Sequence, residues 1–417
     1  MPNFSIPLSG LTAETSALST IANNLANQNT VGYKDKVVLF SDLFYQNLGT
    51  TGSGDPIQLG AGTQVSSMPS LFTQGSVEAT GVPTDVAIQG SGFFAVQDTS
   101  GVVSYTRAGD FSVDANDFLV TSEGQQVLGY PAVDGVVNTG TGIVPLQLGA
   151  GTISPPTATT DVALTTNLNA SAAVGDTFST PVTVYDSLGA SHVLTFTFTN
   201  TGPGAWNYSI TIPAADLGAT GDPVQVAAGK LTFDSNGNLK TPAANVAGIT
   251  IGPQNTAALA DGASNLTFTW QLYNGTTGLL TQVAAPSSTS ATNQNGAGSG
   301  SLVSFSIGSD GTITGSFSNG KTQALGQLAL ANFSNPDGLQ LDGNTDYTPT
   351  LASGAAVAGV PGTGGLGTVS GGALEESNVD IATEFANLIV AQRGFEADAK
   401  AVTTFDQITQ DTIALKQ

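Results

Sequence analysis

The 417-residue chain has no cysteine, one histidine (His192), two tryptophans and nine basic residues. Without cysteine there is no disulfide, no thiolate chemistry and no Cys-based zinc site. A lone histidine leaves no second imidazole for a His-based metal centre. It follows the turn "SLGAS" at the start of a strand pattern, where a solvated strand residue is the expected role. Nine Lys and Arg against 31 Asp and Glu give a net charge of −22. That balance repels nucleic-acid phosphates and acidic membrane surfaces. No apolar run reaches the roughly 18 residues a membrane helix needs, so no membrane insertion is expected. The start, "MPNFSIPLSGLTAETSAL", has neither a basic n-region nor a continuous apolar h-region, so a cleaved signal peptide is not expected. Charged residues are 10% of the chain, against about 25% in typical globular proteins. Polarity is carried by Gly, Thr, Ser and Asn, a composition suited to short strands and tight turns.

Helical periodicity is confined to the two ends. Phe4, Leu11, Leu18 and Leu25 lie seven apart, flanked by Leu8 and Ile21. Ile381, Leu388, Phe395 and Val402 repeat that spacing, and Phe385, Ala399, Ile408 and Leu415 widen the stripe. Sustained seven-residue spacing predicts a coiled-coil seam. Ser377 is the candidate N-cap of the second helix, with Asp380 three residues on. That helix should be on the order of 55 Å long.

Between the ends the chain reads as β-structure. "HVLTFTFTN", "AWNYSITIP" and "LTFTWQLYN" alternate apolar and polar residues, the half-buried strand pattern. Asn236-Gly237, Asp310-Gly311 and Asn319-Gly320 read as hairpin turns in which both residues adopt positive φ. Linkers are expected near 148–160, 285–301 and 357–372, where Gly, Pro and Ser concentrate. These boundaries predict an α+β, mainly β fold: two nested β-domains between terminal helices that pair as a coiled coil. The division is 1–30 with 374–417 (terminal helices), 31–70 with 361–373 (connecting segments), 71–148 with 291–360 (middle β-domain) and 149–290 (inserted outer β-domain).

No catalytic constellation assembles, and no cofactor or metal site is expected. "GTGGLG" (362–367) has the letters of a dinucleotide loop, but it follows Pro361 and opens no helix. "DGNTDYTPTLAS" from Asp342 begins like a calcium loop, yet Tyr347 stands where Gly is needed and Ser353 where Glu is needed. The terminal stripes point elsewhere. Asn23, Asn24, Asn27 and Asn29 crowd the first helix, and Asn costs roughly half a kcal/mol per helical position relative to Ala. The second helix also outruns the first, leaving apolar surface no intramolecular partner covers. Leu11, Leu18, Ile21, Leu25, Ile381, Phe385, Leu388, Phe395 and Val402 are therefore the candidate inter-subunit assembly stripe.

"LSTIANNLANQNTVGYK" (18–34) with "FSDLFYQ" (40–46) resembles the N-terminus of the bacterial flagellar rod and hook family. "TGVPTDVAIQGSGFFAV" (80–96) and "YTRAGDFSVDANDFLVTSEGQQVLGYP" (105–131) resemble its first β-segment. "LGQLALANFSNPDGL" (325–339) and "GALEESNVDIATEFANLIVAQRGFEADAKAV" (372–402) resemble its closing part. Asp117 stands where the family usually has Gly, and Asp tolerates the left-handed conformation that turn needs. The large insert at 150–290 points to a hook rather than a rod member. The resemblance implies a subunit that polymerises with itself into a curved, flexible tube linking basal-body rod to filament. The implied partners are the distal rod protein, the hook cap protein, the hook–filament junction protein and the flagellar type III export apparatus. The implied location is the extracellular hook, and the asparagines would bond across helices buried in the polymer. A distal rod or junction protein is the alternative within the family. A surface-binding module or carbohydrate enzyme in the insert, marked by a carboxylate pocket, is the alternative from another class.

Overall fold

The computed structural model describes residues 5–44, 46–148, 153–253 and 255–415. Phe4 and part of the 148–160 linker lie outside them. The chain divides into two units: residues 1–149, 304–315 and 322–417 in one, 150–303 and 316–321 in the other.

The first unit holds both helices, α1 (Ser5–Ala26) and α2 (Ile381–Ala414). Asp380, not Ser377, caps α2: its carboxylate accepts from the Ala382 and Thr383 amides at 2.8 and 3.0 Å. Asp satisfies two of the orphan amides of the first turn and its charge suits the positive helix end. At 34 residues α2 is about 51 Å long, against about 33 Å for α1.

The sheet of this unit is built on strand Phe93–Gln97, which pairs antiparallel with Val103–Thr106 on one side and with Gln126–Val133 on the other. Both faces of Phe93–Gln97 are covered, so the strand reads as an unbroken apolar run, "FFAV". Phe94 and Val96 pack with Leu119, Val127 and Leu328. Phe93 faces a second cluster, where the rings of Phe72 and Tyr347 meet it edge-on at 5.3 and 5.6 Å. Asp117 takes φ 68°, the left-handed turn expected of it.

The second unit is a sandwich. One sheet, all antiparallel, runs Thr177–Tyr185, Ser191–Gly202, Ala205–Ile212, Val224–Phe233 and Leu239–Thr241. The other is organised around Asp161–Asn169, paired in parallel with Leu266–Gln271 and Leu280–Val283. The inward halves of the alternating patterns share one core, in which Trp270 of one sheet packs on Phe196 and Tyr208 of the other at 5.3 and 4.9 Å.

Three expectations are corrected. Residues 285–301 are not simply a linker: Ser288–Gln294 is an edge strand on Asp161–Asn169. Likewise, within 357–372, Val357–Gly359 and Thr368–Gly371 pair with Leu330–Asn332 and Val86–Gln89. In the three Gly turns only Gly237, Gly311 and Gly320 take positive φ, about the value of a left-handed fourth residue, while Asn236, Asp310 and Asn319 do not. Asp234 shows why: its Oδ1 accepts from the Asn236 and Asn238 amides at 2.8 Å each, on either side of Gly237, so the turn winds around that carboxylate and only the glycine turns left-handed.

Candidate assembly interface

The two helices run antiparallel. Gly10 lies against Asp398, Gly394 against Glu14, and Asn24 Nδ2 donates to Glu384 Oε2 at 3.1 Å. The seam is made of small residues: Ala13, Ala17 and Ala391 are buried together with Ile21. Glycine and alanine let the two backbones approach closely, and a Cβ on Gly394 would sit 2.8 Å from the Glu14 carboxylate. By this register Ser5 stands opposite position 403, so the last turns of α2 have no opposite residue among those described.

The candidate stripe divides in two on these helices. Ile21 is in the seam, and Leu18, Leu25 and Leu388 pack against it half-buried. Leu11 and Val402 are also half-buried. Ile381, Phe385 and Phe395 are exposed, at 46%, 52% and 38%, beside Ile389 and Val390 at 58% and 71%. Ile381, Phe385 and Ile389, spaced four apart, form an exposed apolar row along one flank of α2, more than scattered surface apolarity, while Val390 lies on the opposite flank.

Beneath the helix pair Asn24 is saturated within the chain, and Asn23 and Asn27 bond within it as well. Asn24 is fully buried; its Nδ2 also donates to the Lys36 carbonyl at 2.9 Å, and its Oδ1 accepts from the Tyr33 hydroxyl at 3.1 Å and the Lys36 amide at 3.2 Å. Asn23 Nδ2 donates to the Tyr33 hydroxyl at 3.1 Å, and Asn27 Nδ2 to the Asn23 carbonyl at 2.9 Å. Asn24 is thus committed within the chain and is not available to bond across a polymer. These amides fold the chain back at the C-terminus of α1, where carbonyls would otherwise lack donors. Burial and the nearby Asp35 push the Tyr33 hydroxyl up to about 12, so it stays a neutral donor.

That turn delivers Lys34 to a buried charge cluster. Lys34 Nζ donates to Glu375 Oε1 at 2.6 Å and to the Thr73 carbonyl at 2.8 Å. Arg107 reaches Glu375 Oε2 at 3.4 Å and the Gly90 carbonyl at 2.9 Å, with its guanidinium 5.3 Å over the Phe93 ring. The Gly75 amide adds a bond to Glu375 Oε1 at 2.9 Å. Side-chain exposures are 0% for Lys34 and Glu375 and 3% for Arg107. Burial pulls the Lys34 ammonium below its ordinary value, although Glu375 opposes the shift.

Comparison with known proteins follows the same order along the chain. The model for flagella basal body rod proteins matches residues 6–34, and the D1 domain of flagellar hook protein FlgE/F/G matches 87–167. The D2 domain of flagellar basal body protein FlaE matches 154–297, and the C-terminal region of the basal body rod FlgEFG proteins matches 370–415. The chain is 36% identical over 430 residues to the flagellar hook protein FlgE of Escherichia coli (strain K12), covering 99% of this chain and all of that one. It is 33% identical over 455 residues to the FlgE of Borreliella burgdorferi, covering 98% of each.

The chain belongs to the flagellar hook protein family.

Three of the sequence blocks that resemble the rod and hook family each bring one partner to the charge cluster: Lys34 in "NTVGYK", Arg107 in "YTRAGDF" and Glu375 in "GALEESNVD". Neither periodicity nor composition singles these residues out. The one available signal was a charged residue inside each block of a chain poor in charge. His192 is a further correction. It is 6% exposed, not solvated, because the imidazole lies between two carboxylates. Of the rejected motifs, "GTGGLG" forms turns leading into Thr368–Gly371, and Tyr347 lies on a strand paired with Val103–Thr106, which leaves no calcium loop there.

Proposed function

We propose that this chain is the structural subunit of the flagellar hook and polymerises with its own copies into a curved, flexible tube that joins rod to filament and transmits torque. The observation that carries the reading is the exposed row Ile381, Phe385 and Ile389, with Phe395 nearer the seam, on a helix already paired along another face. Residues 1–30 with 374–417 are assigned to the inner tube and 71–148 with 291–360 to the middle layer. Residues 149–290 form the outer domain, and 31–70 with 361–373 connect inner and middle parts. The assembly stripe is Leu11, Leu18, Ile21, Leu25, Ile381, Phe385, Leu388, Phe395 and Val402, and the exposed members are the ones free to meet a neighbour. A distal rod protein at the base, a cap protein during growth and a junction protein at the far end are the proposed partners. Delivery to the cell exterior is assigned to the flagellar type III export apparatus. No catalytic role is proposed.

The experiment compares Phe385→Asp with Leu388→Asp by sedimentation under polymerising salt and by electron microscopy. Leu388 also packs within the subunit, whereas the Phe385 ring is largely in water, so Phe385→Asp should leave the monomer's circular dichroism intact. Burying that carboxylate in a tube wall costs several kcal/mol per contact, so no tubes should pellet. Tubes of normal diameter from Phe385→Asp would refute the assignment of this face. A straight, stiff polymer from the unmodified chain would favour the rod alternative.

A further inference from the structure

His192 begins strand Ser191–Gly202 and is nearly enclosed. Its Nε2 lies 3.1 Å from Asp186 Oδ2, and its Nδ1 lies 3.1 Å from Asp216 Oδ2. A neutral imidazole carries one N–H and can donate to one carboxylate only. Two ionised carboxylates at hydrogen-bond distance, one on each ring nitrogen, are both satisfied only by the doubly protonated ring. In the neutral ring one nitrogen lone pair would face a carboxylate oxygen, and that contact is repulsive.

The groups around the ring come from three segments. Asp186 is fully buried in the hairpin turn before the strand, and its Oδ1 is held by the Leu188 and Ala190 amides at 2.9 Å each. Asp216 sits at the rim in the short 3-10 helix Ala214–Leu217. Asp261 completes the cluster from the loop between strands Val246–Ile251 and Leu266–Gln271, its carboxylate within 4.8 Å of the Asp186 and His192 ligand atoms. That loop and the 3-10 helix also share a backbone bond, Ala260 amide to Asp216 carbonyl at 2.9 Å. Ser264 ties the same loop to the turn through the Ser187 hydroxyl at 3.0 Å. Two of these segments belong to one sheet of the sandwich and the third to the other.

We infer that the sole histidine is a proton-held clamp joining the two sheets of the outer domain, closed while its imidazole carries both protons and released on the Asp216 side when it loses one.

Burial opposes the charged ring, but the hydrogen bonds to Asp186 and Asp216 outweigh it and hold the imidazole above its ordinary value. Burial pushes Asp186 up, but hydrogen bonds from His192 and from the Ala190 and Leu188 amides outweigh it and hold the carboxylate below its usual range. The sign follows directly. A group whose native value is raised contributes fully below its unfolded value, about 6.5, and its contribution is lost as pH rises through the raised one.

With one histidine in the full-length chain, the imidazole resonances of histidine-labelled protein need no assignment. Their titration midpoint should lie above 6.5, and a midpoint at or below 6.5 would overturn the clamp. Trp206 and Trp270 both lie in this domain, so tryptophan fluorescence reads its melting alone. The melting temperature should fall as pH is raised from 6 to 9, and His192→Gln should abolish that slope. If His192→Gln does not fold, Asp216→Asn at the rim serves instead by lowering the imidazole midpoint. An unchanged midpoint in Asp216→Asn would count against the clamp. So would zinc ion that displaces the ring protons and raises the melting temperature at pH 6, since the cluster would then be a metal site.

Discussion

Replacing Glu375 with Gln leaves the Lys34 ammonium and the Arg107 guanidinium buried without the carboxylate they share. At an effective dielectric of about 20 the contacts at 2.6 and 3.4 Å amount to roughly 6 and 5 kcal/mol of attraction. Desolvation of three buried charges offsets most of that, and removing one partner of such a cluster costs about 3–5 kcal/mol. Gln still offers an oxygen to Lys34 and the Gly75 amide, but its NH2 then faces the Arg107 donors. Lys34→Met is the internal comparison. It leaves one carboxylate with one guanidinium, a balanced pair, and removes a charge-assisted bond worth about 1.5–3 kcal/mol. Glu375→Gln should therefore be the more damaging change. The assay is urea unfolding of the monomer followed by far-UV circular dichroism alongside tryptophan fluorescence. Both tryptophans lie in the second unit, so their transition should not move. With a urea slope of about 1–3 kcal/mol/M, the dichroism midpoint of the first unit should fall by at least about 1 M. A loss below about 1 kcal/mol, or a Lys34→Met variant as unstable as Glu375→Gln, would refute the charge-balance reasoning.

The same region supports two further tests. Gly32 has φ 67°, and a Cβ there would lie 2.5 Å from the Ala108 amide nitrogen and 2.6 Å from the Arg107 carbonyl carbon. Left-handed strain alone costs about 1–2 kcal/mol, so Gly32→Ala should lose more than about 2 kcal/mol in the same unfolding assay. Burial, with Glu384 nearby, pushes the Asp35 carboxyl up to about 6. A raised native value means stability present below the unfolded value of 3.8 and lost as pH rises through about 6. Asp35→Asn should thus be more stable than the unmodified chain at pH 7, with the difference gone below about pH 4 in a melting series across that range. In the second unit, a fragment of residues 150–290 cuts through edge strand Ser288–Gln294, whereas 150–303 keeps it. Both should melt cooperatively by tryptophan fluorescence, the longer one at the higher temperature; equal melting temperatures would mean that the strand adds nothing.

Some of this architecture is written locally and some is not. The strands that alternate, such as Ser191–Gly202, were legible because a half-buried sheet imposes a period of two on its own residues. Ser288–Gln294 was not, since "STSATNQ" is an edge strand without a buried face and has no apolar alternation to show. The seven-residue spacing located both helices and the class of their contact. It did not say which side would pair internally. Small residues at Gly10, Ala13, Ala17, Ala391 and Gly394 formed that seam and turned Phe385 and Phe395 outward.

By itself the sequence determined where both helices and the alternating strands lie, that disulfides and Cys/His zinc are excluded, and that the ends match a polymer-forming family. Those properties depend on residues within a turn or two of one another, or on composition alone. The tertiary structure decided the rest. Lys34 meets a carboxylate 341 residues away, Arg107 meets the same carboxylate across 268, and His192 is enclosed by aspartates from three segments. No local pattern encodes such meetings, because a charge becomes a buried partner only when the fold has removed the water around it.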